Sequence, residues 1–182
     1  MASILSRVDG VQLSLRLVMP DDANYIHGLR MDPAYNSHLS AVTGTVEDQR
    51  RWIEAYKTRE AAGAEYYFMI ERTDGLRCGV VRLYDIKSDG FTWGSWILDE
   101  NKPPKAALES AVLSFSVAFE RLGAAVGYID VRKHNTRAIA FYRRLGMQKT
   151  HEDVHNIYFK YTNKQFAADR LAHITVLQSE KN

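Results

Sequence analysis

The chain reads as an α/β domain in which a mixed, mostly antiparallel central sheet carries helices on its faces. Three observations predict this. Strand signals crowd between residues 66 and 98, joined by the turn dipeptides Asp74-Gly75 and Asp89-Gly90, the pattern of an antiparallel meander. A strongly periodic helix follows over about residues 105–122. Beyond it the pattern alternates strand, helix, strand as far as residue 161.

In chain order, the first strand is read at 11–18, where Leu13, Leu15 and Leu17 alternate with Gln12, Ser14 and Arg16. A helix is expected from Pro20, which suits a first helical turn, with Asp21 and Asp22 at the positive end of its dipole. Thr45 and Asp48 form a capping-box pattern that opens a helix to about residue 62, stopped by Gly63. Residues 66–71, 78–86 and 91–98 are the three meander strands. In the helix at 105–122, Leu108, Ala111, Val112, Phe115, Ala118, Phe119 and Leu122 share one face, and Glu109, Ser110, Ser116 and Glu120 fall largely elsewhere. Residues 126–131 read as a strand, 136–145 as a helix closed by Gly146, and 156–161 as a last strand. No repeat or linker interrupts this, so residues 1–182 are taken as one domain. Its core spans about 11–162, with an extension at 163–182 that ends in a soft polar tail after about residue 177.

Composition narrows the function. The chain has 182 residues, 46% hydrophobic and 25% charged, with 24 Lys+Arg against 22 Asp+Glu. These are the values of a globular chain, and a net charge of +2 argues against nucleic acid or an anionic membrane as partner. The opening Met-Ala-Ser-Ile-Leu-Ser-Arg lacks the apolar run of a secretory signal. One cysteine, Cys78, excludes an internal disulfide framework and a four-cysteine zinc site, and a reducing cytoplasm is the expected location. In its apolar strand that thiol should have a raised pKa and be inert. His151-Glu152-Asp153-Val154-His155 matches the zinc signature HExxH. It follows a helix stop, however, and on a strand residues four apart lie about 13 Å from one another. No metal is expected.

Two stretches carry chemistry. Residues 99–107, Asp-Glu-Asn-Lys-Pro-Pro-Lys-Ala-Ala, lead from strand to helix, where unpaired amides favour phosphate. Lys102 and Lys105 would add charge for a pyrophosphate. The second stretch, 134–147, reads His-Asn-Thr-Arg-Ala-Ile-Ala-Phe-Tyr-Arg-Arg-Leu-Gly-Met. Its Asn135, Ala138, Ala140, Tyr142 and Gly146-Met147 resemble the end of a GNAT N-acetyltransferase, and the order of elements from about 13 to 161 is similar as well. The family's pyrophosphate motif, Arg or Gln, two residues, Gly, one residue, Gly or Ala, falls on 102–107. Lys102 stands there for Arg or Gln, Lys105 for the first Gly, and Ala107 conforms. The two prolines remove donors, so fewer amide contacts are expected, offset by lysine charge.

The resemblance implies a GNAT-type sheet splayed between its fourth and fifth strands, read here as 91–98 and 126–131. The strands would part just before residue 99 to admit the pantetheine arm of acetyl-CoA, the co-substrate. It implies that backbone groups at Trp96, Ile97 and Leu98 pair with that arm and polarise the thioester, and that Lys102, Lys105, Ala106 and Ala107 hold the pyrophosphate. Asn135 would bond the cofactor or anchor its loop, and Tyr142 would protonate the departing thiolate. The fourth strand offers no Glu or His as base, so Asp130, Asp85 and His38 stay open, as does a water chain. The acceptor wall would comprise Tyr35, Asn36, His38, Arg82, Tyr84, Trp93 and Ser95. The implied reaction is acetyl transfer to a primary amine.

The segments 66–71, 81–86 and 93–98 resemble enzymes acting on nucleotide-linked amino sugars, and Phe119-Glu120-Arg121-Leu122-Gly123 resembles those acting on N-termini of ribosomal proteins. A non-catalytic CoA-binding module is the third alternative. The expected partners are a small-molecule amine or a peptide N-terminus, with a homodimer admitted and neither nucleic acid nor membrane.

Overall fold

A computed structural model of the protein describes residues 5–38 and 43–179. Eight strands form one sheet in the order β1-β2-β3-β4-β5-β6-β8-β7. They are β1 (Arg7–Asp9), β2 (Leu13–Leu17), β3 (Tyr66–Arg72), β4 (Arg77–Tyr84), β5 (Gly90–Leu98), β6 (Val126–Arg132), β7 (Gln148–Glu152) and β8 (Asn156–Thr162). Every neighbouring pair is antiparallel except β5 and β6, which run parallel because α4 (Ala106–Ser116) crosses over between them. The mixed, mostly antiparallel sheet is therefore as expected. Strands β1 and β7 were not anticipated. Every residue of β7 is exposed, so it carries no apolar alternation to read.

The helical segment from Pro20 begins as one 3₁₀ turn, Pro20–Asp22, before α1 (Ala23–Met31). A four-residue helix α2 (Pro33–Asn36) follows, capped by the side chain of Asp32. In α3 (Val46–Ala61) the expected capping box forms. The Asp48 amide donates to Thr45 Oγ1 at 3.2 Å and the Thr45 amide to Asp48 Oδ2 at 2.8 Å. Helix α4 runs on into a π-helical turn at Val117–Arg121. Helix α5 is Thr136–Arg144, and the expected extension folds as a sixteen-residue helix, α6 (Asn163–Gln178), with Phe166 and Leu177 buried. Residues 180–182 of the expected soft tail lie outside the described residues.

The sheet separates two apolar clusters. On one face Leu13, Leu15, Phe68, Val81, Phe91 and Trp93 meet Phe115 of α4, Ile139 of α5 and Phe166 of α6. On the other, Tyr67, Met69, Val80 and Ile97 meet Ile26 of α1 and Ile53 and Tyr56 of α3.

One expectation for α4 is corrected. Glu109 and Ser110, assigned to its outer side, are buried at 2% and 0% exposure. The Glu109 carboxylate accepts the amides of Val11 (2.7 Å), Gln12 (2.8 Å) and Leu13 (3.1 Å), so it satisfies the turn into β2 and clamps α4 to the sheet. Glu109→Ala would leave those amides unsatisfied. It is expected to cost about 3 kcal/mol, read as a lower urea midpoint at unchanged slope. A midpoint equal to the wild type's would refute the clamp.

Candidate active site

The site begins where two strands separate. Strands β5 and β6 pair only at Gly90↔Val126, Phe91↔Gly127 and Thr92↔Tyr128. From Trp93 onward they diverge, earlier than the point just before residue 99 that the sequence suggested. A bulge in β5 accompanies the divergence. The β4–β5 register passes from Arg82↔Gly94 to Val80↔Ile97, so Ser95 and Trp96 together oppose Val81. Ser95 takes up the extra residue in a left-handed conformation, φ +48°.

The bulge inverts the alternation of side chains. Phe91 and Trp93 belong to the α4 face, whereas Ile97, an even number of residues on, belongs to the opposite cluster. Trp96 consequently joins Trp93 on the α4 side, their rings 5.0 Å apart. Both indoles are hydrogen-bonded to serines one turn apart. Trp93 Nε1 donates to Ser114 Oγ at 2.8 Å, and Trp96 Nε1 donates to Ser110 Oγ at 3.0 Å. Across the bulge, a Cβ at Gly79 would lie 2.2 Å from the Ile97 carbonyl oxygen, so only glycine lets β4 approach this closely.

A cavity of about 330 Å³ opens in the gap. Residues 93–97 form one wall, 129–132 the other, and Asn135 and Tyr142 line it as well. Of the residues expected at a site, Tyr35, His38, Arg82, Tyr84, Trp93, Ser95, Trp96, Ile97, Asn135 and Tyr142 line this cavity. Leu98, Lys102, Lys105, Ala106 and Ala107 lie beyond its lining, at the end of β5 and the entry to α4. Of the three base candidates, His38 and Asp130 line it. Asp85, in a left-handed turn after β4, does not, and neither does Asn36.

Local contacts define what each group can do. Tyr142 is 6% exposed and stands edge-on to Trp93 with ring centres 6.0 Å apart. Burial, and then the charge of Asp130, push its pKa up, so the phenol keeps its proton at neutral pH. Its hydroxyl makes no hydrogen bond among the described residues. Asn135 caps α5, its Oδ1 accepting the Ala138 amide at 3.2 Å. His38 lies 4.8 Å from His134, ring to ring. Desolvation, then His134, hold its pKa below the ordinary value, and its Nδ1 is buried without a partner among the described residues. Trp93 is a floor residue with its only donor committed to Ser114. The Arg82 guanidinium lies 4.1 Å from the Tyr84 ring centre and 3.4 Å from Glu65, so both side chains are fixed.

The loop into α4 is pinned by buried Asp99, which accepts the Asn101 amide at 2.8 Å and the Tyr25 hydroxyl at 2.7 Å. Tyr35 Oη accepts the Glu100 amide at 3.1 Å, tying α2 to the same loop. Lys105 adopts φ +64°, the left-handed conformation for which a glycine would be selected. Its ammonium does not supply free charge to the loop, as the sequence suggested. It donates to Val176 O (2.7 Å), Ser179 O (2.8 Å) and Ser179 Oγ (2.9 Å) at the end of α6. Lys102 is exposed. The amides of Ala107 and Leu108 have no backbone partner among the described residues, as expected of a helix start open to an anion.

Other expectations find their places. Cys78 is buried, and burial followed by the Asp99 charge push its thiol up to about 12. His151 sits on β7 and His155 in the turn after it, not on one helical face. Arg30, Tyr67 and Arg132 line the cavity but carried no recognisable sequence signal. Ser110 and Ser114 did carry one, since their spacing of four answers the spacing of three between Trp93 and Trp96. Replacing Ser114 by Ala leaves a buried indole N–H unpaired and is expected to cost about 1–3 kcal/mol. Ser110→Ala should cost less, because Trp96 is only half-buried. Urea unfolding and a shift in tryptophan emission would register both, and equal losses would contradict this ranking.

Comparison with known proteins bears on the fold as a whole. The family model described as "Acetyltransferase (GNAT) domain" matches residues 12–148. The solved structure of apo FdhC, a nucleotide-linked sugar GNAT, is 37% identical with a TM-score of 0.87, covering 94% of this chain and 98% of that one. A spermidine N-acetyltransferase from Vibrio cholerae in complex with CoA and spermine is 18% identical, TM-score 0.76, covering 86% and 98%. A ribosomal-protein-S5-alanine acetyltransferase from Vibrio fischeri is 13% identical, TM-score 0.75, covering 88% and 98%. At such identities the last two show a shared fold alone. No curated protein matches the chain. No helix among the described residues is long and apolar enough to cross a membrane.

Proposed function

Because the chain belongs to the GNAT acetyltransferase family, we propose that it moves an acetyl group from acetyl-CoA to the primary amine of a nucleotide-linked amino sugar, with Tyr142 as general acid. The observation that carries this reading is the early divergence of β5 and β6, which leaves a slot with a protonated phenol on its wall. Backbone groups of residues 96–98 that β6 no longer pairs are free for the pantetheine arm and for the developing oxyanion. The open amides of Ala107 and Leu108, with Lys102 nearby in sequence, suit the pyrophosphate. Lys105 contributes through its backbone turn rather than its charge.

The amine must lose a proton before it attacks the thioester. His38 takes it: the ring lines the cavity, has a buried unpartnered nitrogen and is neutral at pH 7. Attack builds negative charge on the carbonyl oxygen, and collapse expels a thiolate, which receives the Tyr142 proton. The charge of Asp130, on the same cavity wall, helps keep that proton in place until it is needed.

The 37% identical relative FdhC, a nucleotide-linked sugar GNAT, supports the acceptor class. The N-terminal alternative drew on residues 119–123. Phe119 is buried against Phe115 and Tyr161, so that residue answers to packing. The decisive experiment is a screen of amine acceptors by thiol release, with amino sugar nucleotides, polyamines and peptide N-termini as arms. Turnover confined to peptides would overturn the acceptor. Acetyl-CoA binding without turnover of any amine would leave a non-catalytic module.

Tyr142→Phe is expected to lower kcat about 10²-fold while the Kd for acetyl-CoA stays constant. Unchanged kcat removes the phenol from the mechanism. For His38 the working form is the free base, and its pKa lies below the ordinary 6.5. Activity should therefore fall as pH drops through a value under 6.5, and His38→Gln should abolish that acid limb. A limb that survives the substitution belongs to another group.

A further inference from the structure

The acceptor end of the cavity holds groups that acetyl transfer does not use. Arg30 of α1, Arg82 of β4 and Arg132 of β6 all line it, against one lining carboxylate among the described residues, Asp130. Glu65 answers Arg82 at 3.4 Å. Arg30 and Arg132 have no ion pair among the described residues.

Tyr67 of β3 lines the same space. It is 1% exposed, and its hydroxyl has no hydrogen-bond partner among the described residues. The ring is fixed by edge contacts to Trp52 at 5.8 Å and Tyr56 at 6.0 Å, so the hydroxyl cannot swing to solvent. A buried hydroxyl left unpaired is a standing cost that a ligand oxygen can relieve. Burial raises its pKa, against the charges of Arg30 and Arg82, so it is a donor at neutral pH. A neutral donor that shares its cavity with a guanidinium lacking an ion pair among the described residues suits an anionic oxygen and is a poor seat for a cation.

We propose that Tyr67 and Arg30 seat a phosphate group of the acceptor, with Tyr67 donating one hydrogen bond and Arg30 a charge-assisted contact. The enzyme thereby selects phosphate-bearing amines over polyamines. This deepens the amino-sugar-nucleotide reading and rests on it.

The test uses the full chain and one amino sugar in three forms: free, as its 1-phosphate, and as its nucleoside diphosphate conjugate, with spermidine as a fourth acceptor. KM should fall at least about tenfold from the free sugar to a phosphorylated form. A gain already present in the 1-phosphate assigns the seat to a sugar phosphate. A gain only in the conjugate assigns it to the diphosphate linkage. In Arg30→Gln the ratio of KM values between free and phosphorylated sugar should shrink about tenfold, and in Tyr67→Phe severalfold, with acetyl-CoA Kd unchanged in both. Equal KM values for all three forms, or a ratio untouched by Arg30→Gln, would overturn the seat. So would a preference for spermidine, which would still leave acetyl transfer to amines standing. If no amine is turned over, the enzymatic reading itself fails. The seat is then read by calorimetry, titrating a nucleoside diphosphate into protein saturated with CoA. Binding weakened about tenfold by Arg30→Gln supports it, and binding that is absent or unaltered overturns it.

Discussion

The site depends on two parallel strands being kept apart after three residue pairs. Backbone groups in a sheet ordinarily find partners on both sides, so a strand that abandons its neighbour in mid-course must be held there by something else. Here the holding is done from α4. The two indoles of β5 are hydrogen-bonded to Ser110 and Ser114, a fixed helical turn apart, and these contacts require Trp93 and Trp96 to lie on the same face. Two residues three apart share a face of a strand only if a bulge lies between them. Ser95 supplies the bulge, and Gly79 gives it room.

That constraint divides the work between the two faces of the sheet. Tyr142 comes from α5 on the face that also buries α4 and α6. Tyr67 and Arg82 come from strands, but they gather with Trp52 and Tyr56 toward the face covered by α1 and α3. The slot lies where residues of the two faces, Tyr142 from one and Tyr67 and Arg82 from the other, line a single cavity.

Much of the frame was legible in the sequence because it is local. Apolar alternation in 13–17, the Asp-Gly turns, the Thr45–Asp48 box and the helical stripe of α4 each announce themselves within a few residues. Asn135 and Tyr142 were legible through a motif, and both line the cavity. What escaped depends on distant partners. Glu109 read as lying largely off the apolar face of α4, because nothing near it in sequence reveals the three amides of the turn into β2. Lys105 looked like free charge, because its acceptors lie more than seventy residues away. The point at which β5 leaves β6 follows from register, which one-dimensional patterns do not carry. Strand β7, polar along its length, owes its state to pairing with β8 alone.

The left-handed lysine at the entry to α4 has a wider consequence. A bulky residue in that conformation is disfavoured by roughly 1–2 kcal/mol, yet here three hydrogen bonds from its own tip lock it down. Its tether is the end of α6, so the shape of the loop into α4 is underwritten by a helix end more than seventy residues further along the chain. Pattern searches that insist on glycine at this place will pass over chains of this kind. Engineers who trim or fuse at the carboxyl end would be editing that loop without touching it.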